Sequence, residues 1–310
     1  MLITFVIPAF NASSSIRRTL DSVFGHALPV DWSIEAVVVD DGSVDGKALA
    51  KVISSYPGAA LAVHSANRGM CSARNTGITH SSGKFVTILD ADDELVPYWP
   101  RTFESIIWEC PSSCQVIYAA CRNQFGEITA SDPNYQGFLS LNDLLNEQHS
   151  GEYLPIFRGD YVRSKLYIDL NTRKSCGIVS YINYALDAPF WVSNKVLRIY
   201  HVAHVDSISK GWTSPEKAME TVHCYQTLLK SYGDLYQQRA PRVHRTKLLR
   251  LAVYLKLAGL PETWKIYRRG ASFSVWRETI GAAIMLLLGT KAAGLMAKTL
   301  KKLGMVRSYG

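Results

Sequence analysis

Aspartates follow two short apolar runs of the sequence at spacings that could hold a cation. The pair Asp40-Asp41 comes directly after Ile34–Val39, and the tripeptide Asp90-Ala91-Asp92 comes directly after Phe85–Leu89. Carboxylate oxygens are the ligands that Mg²⁺ and Mn²⁺ prefer, and these ions usually keep open positions for phosphate oxygens. A single aspartate after a strand more often caps a helix or forms a turn. Several such aspartates together favour a bound cation or a polyhydroxyl ligand, because gathered carboxylates repel one another.

The segments around these aspartates alternate between the periodicities of strands and helices. Apolar, β-branched runs predict buried strands, and apolar positions three or four residues apart predict helices. In chain order, the pattern predicts strand Ile3–Ile7, helix Ser13–Phe24, strand Ile34–Val39, helix Gly46–Ser54, strand Leu61–Val63, helix Met70–Thr79, strand Phe85–Leu89, helix Pro97–Trp108 and strand Val116–Ala119. This alternation indicates an α/β fold with a Rossmann-like, mostly parallel sheet and helices on both faces. Ligands of such sheets bind beyond the carboxyl ends of the strands, where the aspartates stand.

The rest of the sequence excludes several classes of protein. No Gly-x-Gly-x-x-Gly follows the first strand and no Gly-x₄-Gly-Lys-Ser/Thr occurs, which argues against a dinucleotide site and a P-loop. The 310 residues are 47% apolar and 19% charged, a globular composition with enough chain for a sizeable core. The six cysteines match no zinc spacing and indicate reduced thiols.

Charge is distributed unevenly along the chain. The net charge is +8, yet 14 basic and only two acidic residues stand from Ala240 onward, so the preceding part is net acidic. We therefore expect no nucleic-acid partner. Lys247–Leu260 and Glu278–Leu303 mix apolar positions with basic residues, a pattern that suits the surface of an anionic membrane. A packed helical bundle with a solvated basic face, or an acidic glycan acceptor, would explain the same charge.

Four motifs of the N-terminal part stand in the order of one known family. They are VIPAFN at residues 6–11, VVVDDGSVDG at 37–46, NRGMCSARNTG at 67–77 and SGKFVTILDADDELVP at 82–97. With these motifs the chain resembles the family 2 glycosyltransferases of GT-A fold, of the type that builds bacterial polysaccharides and cell-surface glycans. The resemblance is strong to about residue 120, thin to about residue 209, and absent from the tail.

The resemblance implies roles for the residues at the strand ends. Asp41 would hold the base or ribose, Arg74 would approach the nucleotide, and Asp92 would ligate a divalent metal, Mn²⁺ or Mg²⁺, on the diphosphate. The residues implied to bind the nucleotide sugar are Pro8, Phe10, Asn11, Asp40, Asp41, Arg74, Asp90 and Ala91. A metal ion at Asp92 would stabilise, as a Lewis acid, the charge that develops on the leaving diphosphate.

A transferase of this kind also needs a base that takes the proton of the acceptor hydroxyl. In the family this base is usually the aspartate of a later Glu-Asp pair before an aromatic or apolar segment. The nearest match is Ala185–Trp191, where Asp187 takes the place of the aspartate and Leu186 stands where glutamate is common. Asp187 is therefore the predicted base, and Asp160 and Asp169 are weaker candidates. The stretch IYHVAHVDSIS, residues 199–209, resembles a family segment on the acceptor side.

We expect three regions along the chain. Residues 1–120 would form the nucleotide-sugar-binding half of a GT-A domain, 121–210 its acceptor-binding half, and 211–310 a helical, basic C-terminal region. No secretory signal or membrane span is evident, which predicts a cytoplasmic protein bound peripherally to the inner face of the cell membrane.

The resemblance implies an inverting, metal-dependent transfer of a hexose or N-acetylhexosamine from a nucleotide-diphosphate sugar, foremost a UDP-sugar, to a glycan or lipid-linked acceptor. The alternative is a degenerate or non-catalytic membrane scaffold that binds sugar nucleotides, which Leu186 favours. A sugar nucleotidyltransferase would need a glycine-rich loop after the first strand, where Pro8–Asn11 stands.

Overall fold

The structure is a computed structural model that describes residues 1–173, 176–201, 214–289 and 292–296. The strands are β1 (Leu2–Ala9), β2 (Ser33–Asp40), β3 (Ala59–Val63), β4 (Phe85–Ile88), β5 (Glu94–Leu95), β6 (Val116–Asn123), β7 (Gly137–Leu139), β8 (Tyr153–Arg158) and β9 (Phe190–Tyr200). The helices are α1 (Ile16–Phe24), α2 (Gly46–Ile53), α3 (Met70–Thr79), α4 (Trp99–Glu109), α5 (Leu141–Leu145), α6 (Gly159–Ser164), α7 (Gly177–Ala185), α8 (Pro215–Arg239), α9 (Pro241–Leu257), α10 (Thr263–Gly270) and α11 (Trp276–Leu287). A short 3₁₀ helix, Phe273–Val275, precedes α11.

The chain divides into two compact units. The first consists of Met1–Leu144 and Gln148–His204, and the second of Leu145–Glu147 and Val205–Gly310. The regions expected as two halves, 1–120 and 121–210, contribute strands to one sheet of the first unit, because β6 to β9 pair with the earlier strands.

The first unit is built on one nine-stranded sheet. Its order is β3-β2-β1-β4-β8-β6-β9-β5, with β7 beside β9. Strands β1 to β4 run parallel, β8 runs antiparallel between β4 and β6, and β9 is parallel to β6. Strands β1, β2, β3, β4, β6 and β9 therefore share one direction, which confirms the predicted mostly parallel sheet.

Strand β1 shows why helices cover both faces of this sheet. Successive side chains of a strand point to opposite faces. Phe5 of β1 belongs to an apolar cluster with Leu20 of α1 and Phe103 of α4, whereas Val6 belongs to another cluster with Ile78 of α3. All five side chains are fully buried, and burial of each contributes ~1.5–3 kcal/mol. The helices thus fix the strands, and with them the residues that follow the strands.

The second unit is helical, as the prediction for the C-terminal region states. Leu251 and Leu255 of α9 are buried with Val222 of α8, and Leu249 of α9 is buried with Ala282 of α11. Helix α9 thus packs against helices on two of its sides. None of the helices among the described residues is long and apolar enough to cross a membrane.

Candidate active site

The ends of β1, β2 and β4 meet at one edge of the sheet, which we call the carboxyl edge. Ala9 of β1 pairs with Asp40 of β2, and the backbone N–H of Leu89, just after β4, donates to Val6 O at 3.0 Å. The residues that follow these strands therefore emerge side by side. This edge brings together the residues predicted to bind a nucleotide sugar, although their roles toward a ligand stay predictions.

The carboxylates of Asp40 and Asp41 shape the loops of this edge from the inside. Asp41 accepts hydrogen bonds from the backbone N–H groups of Arg68 and Gly69, both at 2.9 Å, and His64 Nδ1 lies 2.7 Å from it. Asp40 and Asp41 are only 3% and 4% exposed. Asp41 thus ties the loops after β2 and β3 together, while Asp40 accepts from the Ser43 N–H at 2.8 Å within the loop after β2. Their direct contact with a base or ribose stays a prediction.

A glycine is required where the loop after β3 enters α3. The φ angle of Gly69 is +92°, and a Cβ atom there would lie far inside the contact distance of Thr172 O. Only glycine accepts both conditions at low cost. This close approach packs the 172 segment against the start of α3, the helix that carries Arg74.

An aromatic side chain lies exposed after β1. Phe10 is 49% exposed, and the next residue, Asn11, has a φ of +51°. Asn11 Oδ1 accepts from the backbone N–H of Val44, and its own N–H donates to Ser43 Oγ, both at 2.9 Å. These bonds hold the chain after β1 against the chain after β2. An exposed ring held in this way offers a flat surface on which a nucleotide base can stack.

Asp90 lies between two arginines of the carboxyl edge. Its Oδ1 is 3.7 Å from Arg74 Nη2, and its Oδ2 is 3.3 Å from Arg198 Nη1. The Asp90 side chain keeps 33% of its surface exposed, while the arginines keep 13% and 4%. Guanidinium groups suit phosphate oxygens and carboxylates suit sugar hydroxyls, so the cluster can contact both parts of a nucleotide sugar.

Helix α1 holds the backbone around Asp92. The Thr19 hydroxyl lies 3.0 Å from Ala91 O and 2.8 Å from Asp93 O, and Arg18 donates to Asp92 O at 2.5 Å. These three contacts go to main-chain oxygens and not to the side chain of Asp92, which is half-buried. The sequence pattern did not indicate Arg18 or Thr19, because both stand within an ordinary amphipathic helix.

The donor set around Asp92 fits a divalent ion that binds together with a diphosphate. Among the described residues, no group of three or more His, Cys, Asp or Glu side chains could hold a metal ion. Mg²⁺ is commonly held by one or two carboxylates plus substrate phosphates and waters, and does not need a cage of protein ligands. Asp92, which stands in the loop after β4, can supply such a carboxylate.

Asp93 is buried beneath this loop with 1% exposure. Its Oδ1 accepts from the backbone N–H of His201 at 3.0 Å, and its Oδ2 forms an ion pair with Arg198 Nη1 at 3.4 Å. Burial raises the pKa of Asp93 to about 8, against the opposing effect of the Arg198 guanidinium. His201 Nε2 lies 2.6 Å from Glu94 Oε1, so the end of β9 is fixed to this edge. Two further residues of the acceptor-side stretch, His204 and Ser207, lie outside the described residues.

Arg198 and Glu152 also belong to the carboxyl edge, although the sequence pattern did not indicate them. Glu152 precedes β8, whose first residue pairs with Ala120 near the end of β6. Glu152 Oε2 lies 3.4 Å from Arg198 Nη2, and the same guanidinium contacts Asp90. The Glu152 side chain is 59% exposed. The signal that places Glu152 here is the antiparallel direction of β8, which local sequence does not reveal.

The structure places the predicted base, Asp187, away from the carboxyl edge. Strand β8 ends at Arg158, which pairs with Phe85 at the start of β4, so the following α6 lies at the opposite, amino edge of the sheet. Asp187 Oδ2 accepts from Tyr161 of α6 at 2.8 Å and from Lys165 Nζ at 2.5 Å. The hydrogen bond from Lys165 holds the pKa of Asp187 below its ordinary value. Asp187 therefore does not face Asp90 and Asp92.

Of the two weaker base candidates, Asp160 does not replace it, and Asp169 stays a prediction. Asp160 follows Arg158 at the same amino edge, is fully exposed, and pairs with Arg163 at 2.7 Å. Asp169 accepts from the backbone N–H of Asn171 at 2.9 Å within a turn. Local sequence context suggested Asp187 because its neighbours match the family segment, whereas the path of the chain between strands decides which edge it reaches.

Comparison with known proteins gives the family and the fold. The family model described as glycosyl transferase family 2 matches residues 4–157. The chain is 37% identical over 225 residues to glycosyltransferase GlyA of Streptococcus pneumoniae, a match that covers 68% of this chain and 32% of GlyA. It is 41% identical over 93 residues to the amylovoran biosynthesis glycosyltransferase AmsB of Erwinia amylovora, over 29% of this chain and 30% of AmsB. The chain thus spans about a third of the length of these relatives.

Two solved structures resemble the chain over most of its length. One is S. aureus TarS, residues 1–349, in complex with UDP-GlcNAc, with a TM-score of 0.59 and 14% identity over 100% of this chain and 94% of that one. The other is the mannosyltransferase PcManGT from Pyrobaculum calidifontis in complex with GDP-Man and Mn²⁺, with a TM-score of 0.52 and 18% identity over 92% and 86%. At these identities the likeness shows the fold alone. Together with the family match, it shows that the chain belongs to glycosyl transferase family 2 and has the GT-A fold.

Proposed function

We propose that the chain transfers a sugar from a nucleotide-diphosphate sugar to a glycan or lipid-linked acceptor. The observation that carries this proposal is the carboxyl edge, where Asp90 and the loop of Asp92 lie with Arg74, Arg198 and the exposed Phe10. A nucleotide sugar has a flat base, a charged diphosphate and a polyhydroxyl sugar, and the edge carries a group suited to each of them. We propose a UDP-sugar as donor, and a hexose or N-acetylhexosamine as the transferred group.

The diphosphate is the part of the donor that gains negative charge during transfer. Arg74, in the middle of α3 and 13% exposed, can donate charge-assisted hydrogen bonds to its oxygens. Asp92 would hold a divalent ion, Mn²⁺ or Mg²⁺, whose Lewis acidity stabilises the leaving group when it is bound. Asp90 would accept hydrogen bonds from ribose or sugar hydroxyls while the two arginines hold its orientation.

We propose an inverting single displacement in which Glu152, and not Asp187, is the base. The acceptor oxygen forms a bond to the anomeric carbon as the bond from that carbon to the diphosphate breaks, and the bonding electron pair leaves with the diphosphate. The hydroxyl proton passes to the Glu152 carboxylate. Glu152 supports this role because it stands at the carboxyl edge, is 59% exposed, and is linked to Asp90 through Arg198. The Arg198 contact would orient its carboxylate toward the donor.

A non-catalytic scaffold that binds sugar nucleotides is the second candidate. One observation favours it, namely that Asp187 lies at the amino edge with Tyr161 and Lys165. Such a scaffold would bind the donor at the same carboxyl edge and release no nucleoside diphosphate. Turnover of the donor therefore distinguishes the two functions.

A peripheral contact with an anionic membrane is also part of the proposal. The basic C-terminal region and a relative named for amylovoran biosynthesis support it, since a lipid-linked acceptor would be presented at a membrane surface. The contact and the acceptor are both our inference from charge and family.

The donor proposal predicts a specific pattern of thermal stabilisation. UDP-glucose, UDP-GlcNAc and GDP-mannose would each be added with and without Mn²⁺, and unfolding followed by fluorescence. We expect one UDP-sugar to raise the unfolding temperature, and Mn²⁺ to increase that shift, because the ion needs phosphate oxygens to complete its coordination. At a free donor concentration of 100 times its Kd, binding adds about 2.7 kcal/mol to the free energy of unfolding.

Two controls make this experiment decisive. Uridine, which lacks the diphosphate, should show no response to Mn²⁺. Asp92→Asn should keep the shift caused by the donor alone and lose the increment caused by Mn²⁺. The proposed donor site would be contradicted if Mn²⁺ alone raised the unfolding temperature as much as the UDP-sugar with Mn²⁺ does. It would also be contradicted if no nucleotide sugar raised the unfolding temperature.

A further inference from the structure

The second unit exposes a row of apolar side chains along its last described long helix. Phe273, Trp276, Ile280, Ile284 and Leu287 are 91%, 49%, 52%, 42% and 76% exposed. Within α11, residues 276, 280, 284 and 287 are spaced by four, four and three positions, which places them on one side of the helix. We call these five residues the apolar stripe.

The opposite side of α11 anchors the helix to its unit. Ala282, Met285 and Leu286 are 6%, 6% and 2% exposed, and Ala282 belongs to the cluster that contains Leu249 of α9. Helix α11 therefore uses one apolar side for packing and leaves a second apolar side in contact with water. Contiguous exposed apolar surface of this kind often marks an interaction site, whereas single exposed apolar residues are common on any protein surface.

Arginines border the apolar stripe at its amino end. Arg268 and Arg269 lie in the last turn of α10, and Arg277 is the second residue of α11, with its guanidinium 5.3 Å from the centre of the Trp276 ring. All three are exposed, and none forms an ion pair with a residue that the structure describes. Tyr267 Oη donates to Thr279 O at 3.4 Å, which holds the end of α10 beside the start of α11. Arg277 thus lies over the exposed indole ring of Trp276, and two further exposed arginines stand in the helix that precedes it.

This combination identifies the chemistry of the partner. Aromatic rings prefer the boundary between lipid headgroups and acyl chains, and arginines near them can reach lipid phosphates. The twelve residues of α11 are about 18 Å long, too short for the ~30 Å hydrocarbon core, so the helix can lie on a bilayer but not cross it. A protein partner would explain the apolar stripe, but charge complementarity with phosphate favours a lipid surface.

We propose that the apolar stripe and its three arginines dock on an anionic lipid bilayer, with α11 parallel to the membrane surface. This inference rests on the peripheral membrane contact of the proposed function and assigns that contact to specific residues. In this arrangement Phe273 and Trp276 enter the headgroup region, while Ile280, Ile284 and Leu287 contact the upper acyl chains. Exposed arginines would hold the phosphates around them.

Flotation with lipid vesicles tests the proposal on the full-length protein. The vesicles are phosphatidylcholine alone, or phosphatidylcholine with about a third phosphatidylglycerol, at low and high salt. We expect the parent to bind the anionic vesicles and bind less at high salt. The variant Phe273→Ser/Ile280→Ser/Leu287→Ser should bind at least tenfold more weakly, and Arg268→Gln/Arg269→Gln/Arg277→Gln should lose the preference for anionic lipid.

Matched variants separate this surface from general effects. Val30→Ser/Trp108→Ser removes two apolar side chains of the first unit that are 88% and 89% exposed, and should bind vesicles like the parent. Vesicle binding of the triple serine variant equal to that of the parent would overturn the proposal. The proposal would also be overturned if vesicle binding were lost only on substitution of the tail lysines 298, 301 and 302. A dimer of the parent that becomes a monomer in the triple serine variant would overturn it as well.

The donor-induced thermal shift, measured on the same variants, keeps the two proposals apart. A normal shift without vesicle binding would refute only the membrane surface. Vesicle binding without any donor-induced shift would refute only the transferase.

Discussion

Asp92→Asn is expected to lower the rate of Mn²⁺-dependent turnover of the nucleotide sugar by a factor of about 10³ or more, while the fold stays intact. Asparagine is a much poorer ligand for a hard cation than a carboxylate is. The loop itself should keep its conformation, because Thr19 and Arg18 bind main-chain oxygens of residues 91 to 93. Release of nucleoside diphosphate measures the turnover, and circular dichroism checks the fold.

A matched substitution and a chelator complete this test. Asp160→Asn removes a fully exposed carboxylate at the amino edge and should leave turnover at the parental level. Excess EDTA should reduce the parent to the level of Asp92→Asn. Full activity of the parent in EDTA would contradict the assignment of Asp92 as the metal ligand.

Glu152→Gln is expected to lower turnover by a factor of about 10²–10⁴, the usual contribution of a general base. Donor binding should hardly change, because glutamine has the same shape and can still accept a hydrogen bond from Arg198 at 3.4 Å. The readout is therefore a fall in kcat at an unchanged thermal shift by the donor. A scaffold without activity would show no turnover in the parent either.

Asp187→Asn provides the direct contrast. The family segment predicts that this substitution removes the base, whereas the structure places Asp187 with Tyr161 and Lys165 at the other edge. We expect near-parental turnover for Asp187→Asn. Normal turnover in Glu152→Gln together with a large loss in Asp187→Asn would show that Glu152 is not the base.

Sequence predicts well the part of the site that depends on local patterns of apolar and polar residues. Strands β1, β2 and β4 are short apolar runs, and parallel strands bring their last residues to one edge. Pro8, Asp40 and Asp90 therefore lie at the same edge, as the alternation of strands and helices implies. Helix starts are less well predicted. Helix α1 begins at Ile16 and not at Ser13, whose N–H donates to Asp45 Oδ2 at 2.9 Å.

The part that sequence predicts poorly depends on pairing between distant segments. Strand β8 enters the sheet antiparallel between β4 and β6, and this direction sends Glu152 to the carboxyl edge and Asp160 to the amino edge. Arg198 is similar, since its burial against Asp93 depends on β9 lying beside β6. Nothing in the residues around these positions records which edge they reach.

The C-terminal region shows the same division between local and distant information. Its excess of basic residues and its apolar spacing are visible in the sequence and predict helices. Which apolar residues are buried depends on contacts between helices, because Leu286 packs inward while its neighbour Leu287 is exposed. The apolar stripe therefore emerges only from the packed unit.

The donor and metal assignments are tested by a crystal structure with a UDP-sugar and Mn²⁺, recorded at the manganese absorption edge. We expect one anomalous peak within coordination distance of the Asp92 carboxylate and of two diphosphate oxygens. We also expect the sugar between Asp90 and Glu152, and the nucleobase near Phe10. A nucleotide bound at the amino edge beside Asp187, or a diphosphate at the carboxyl edge with manganese bound elsewhere, would contradict these assignments.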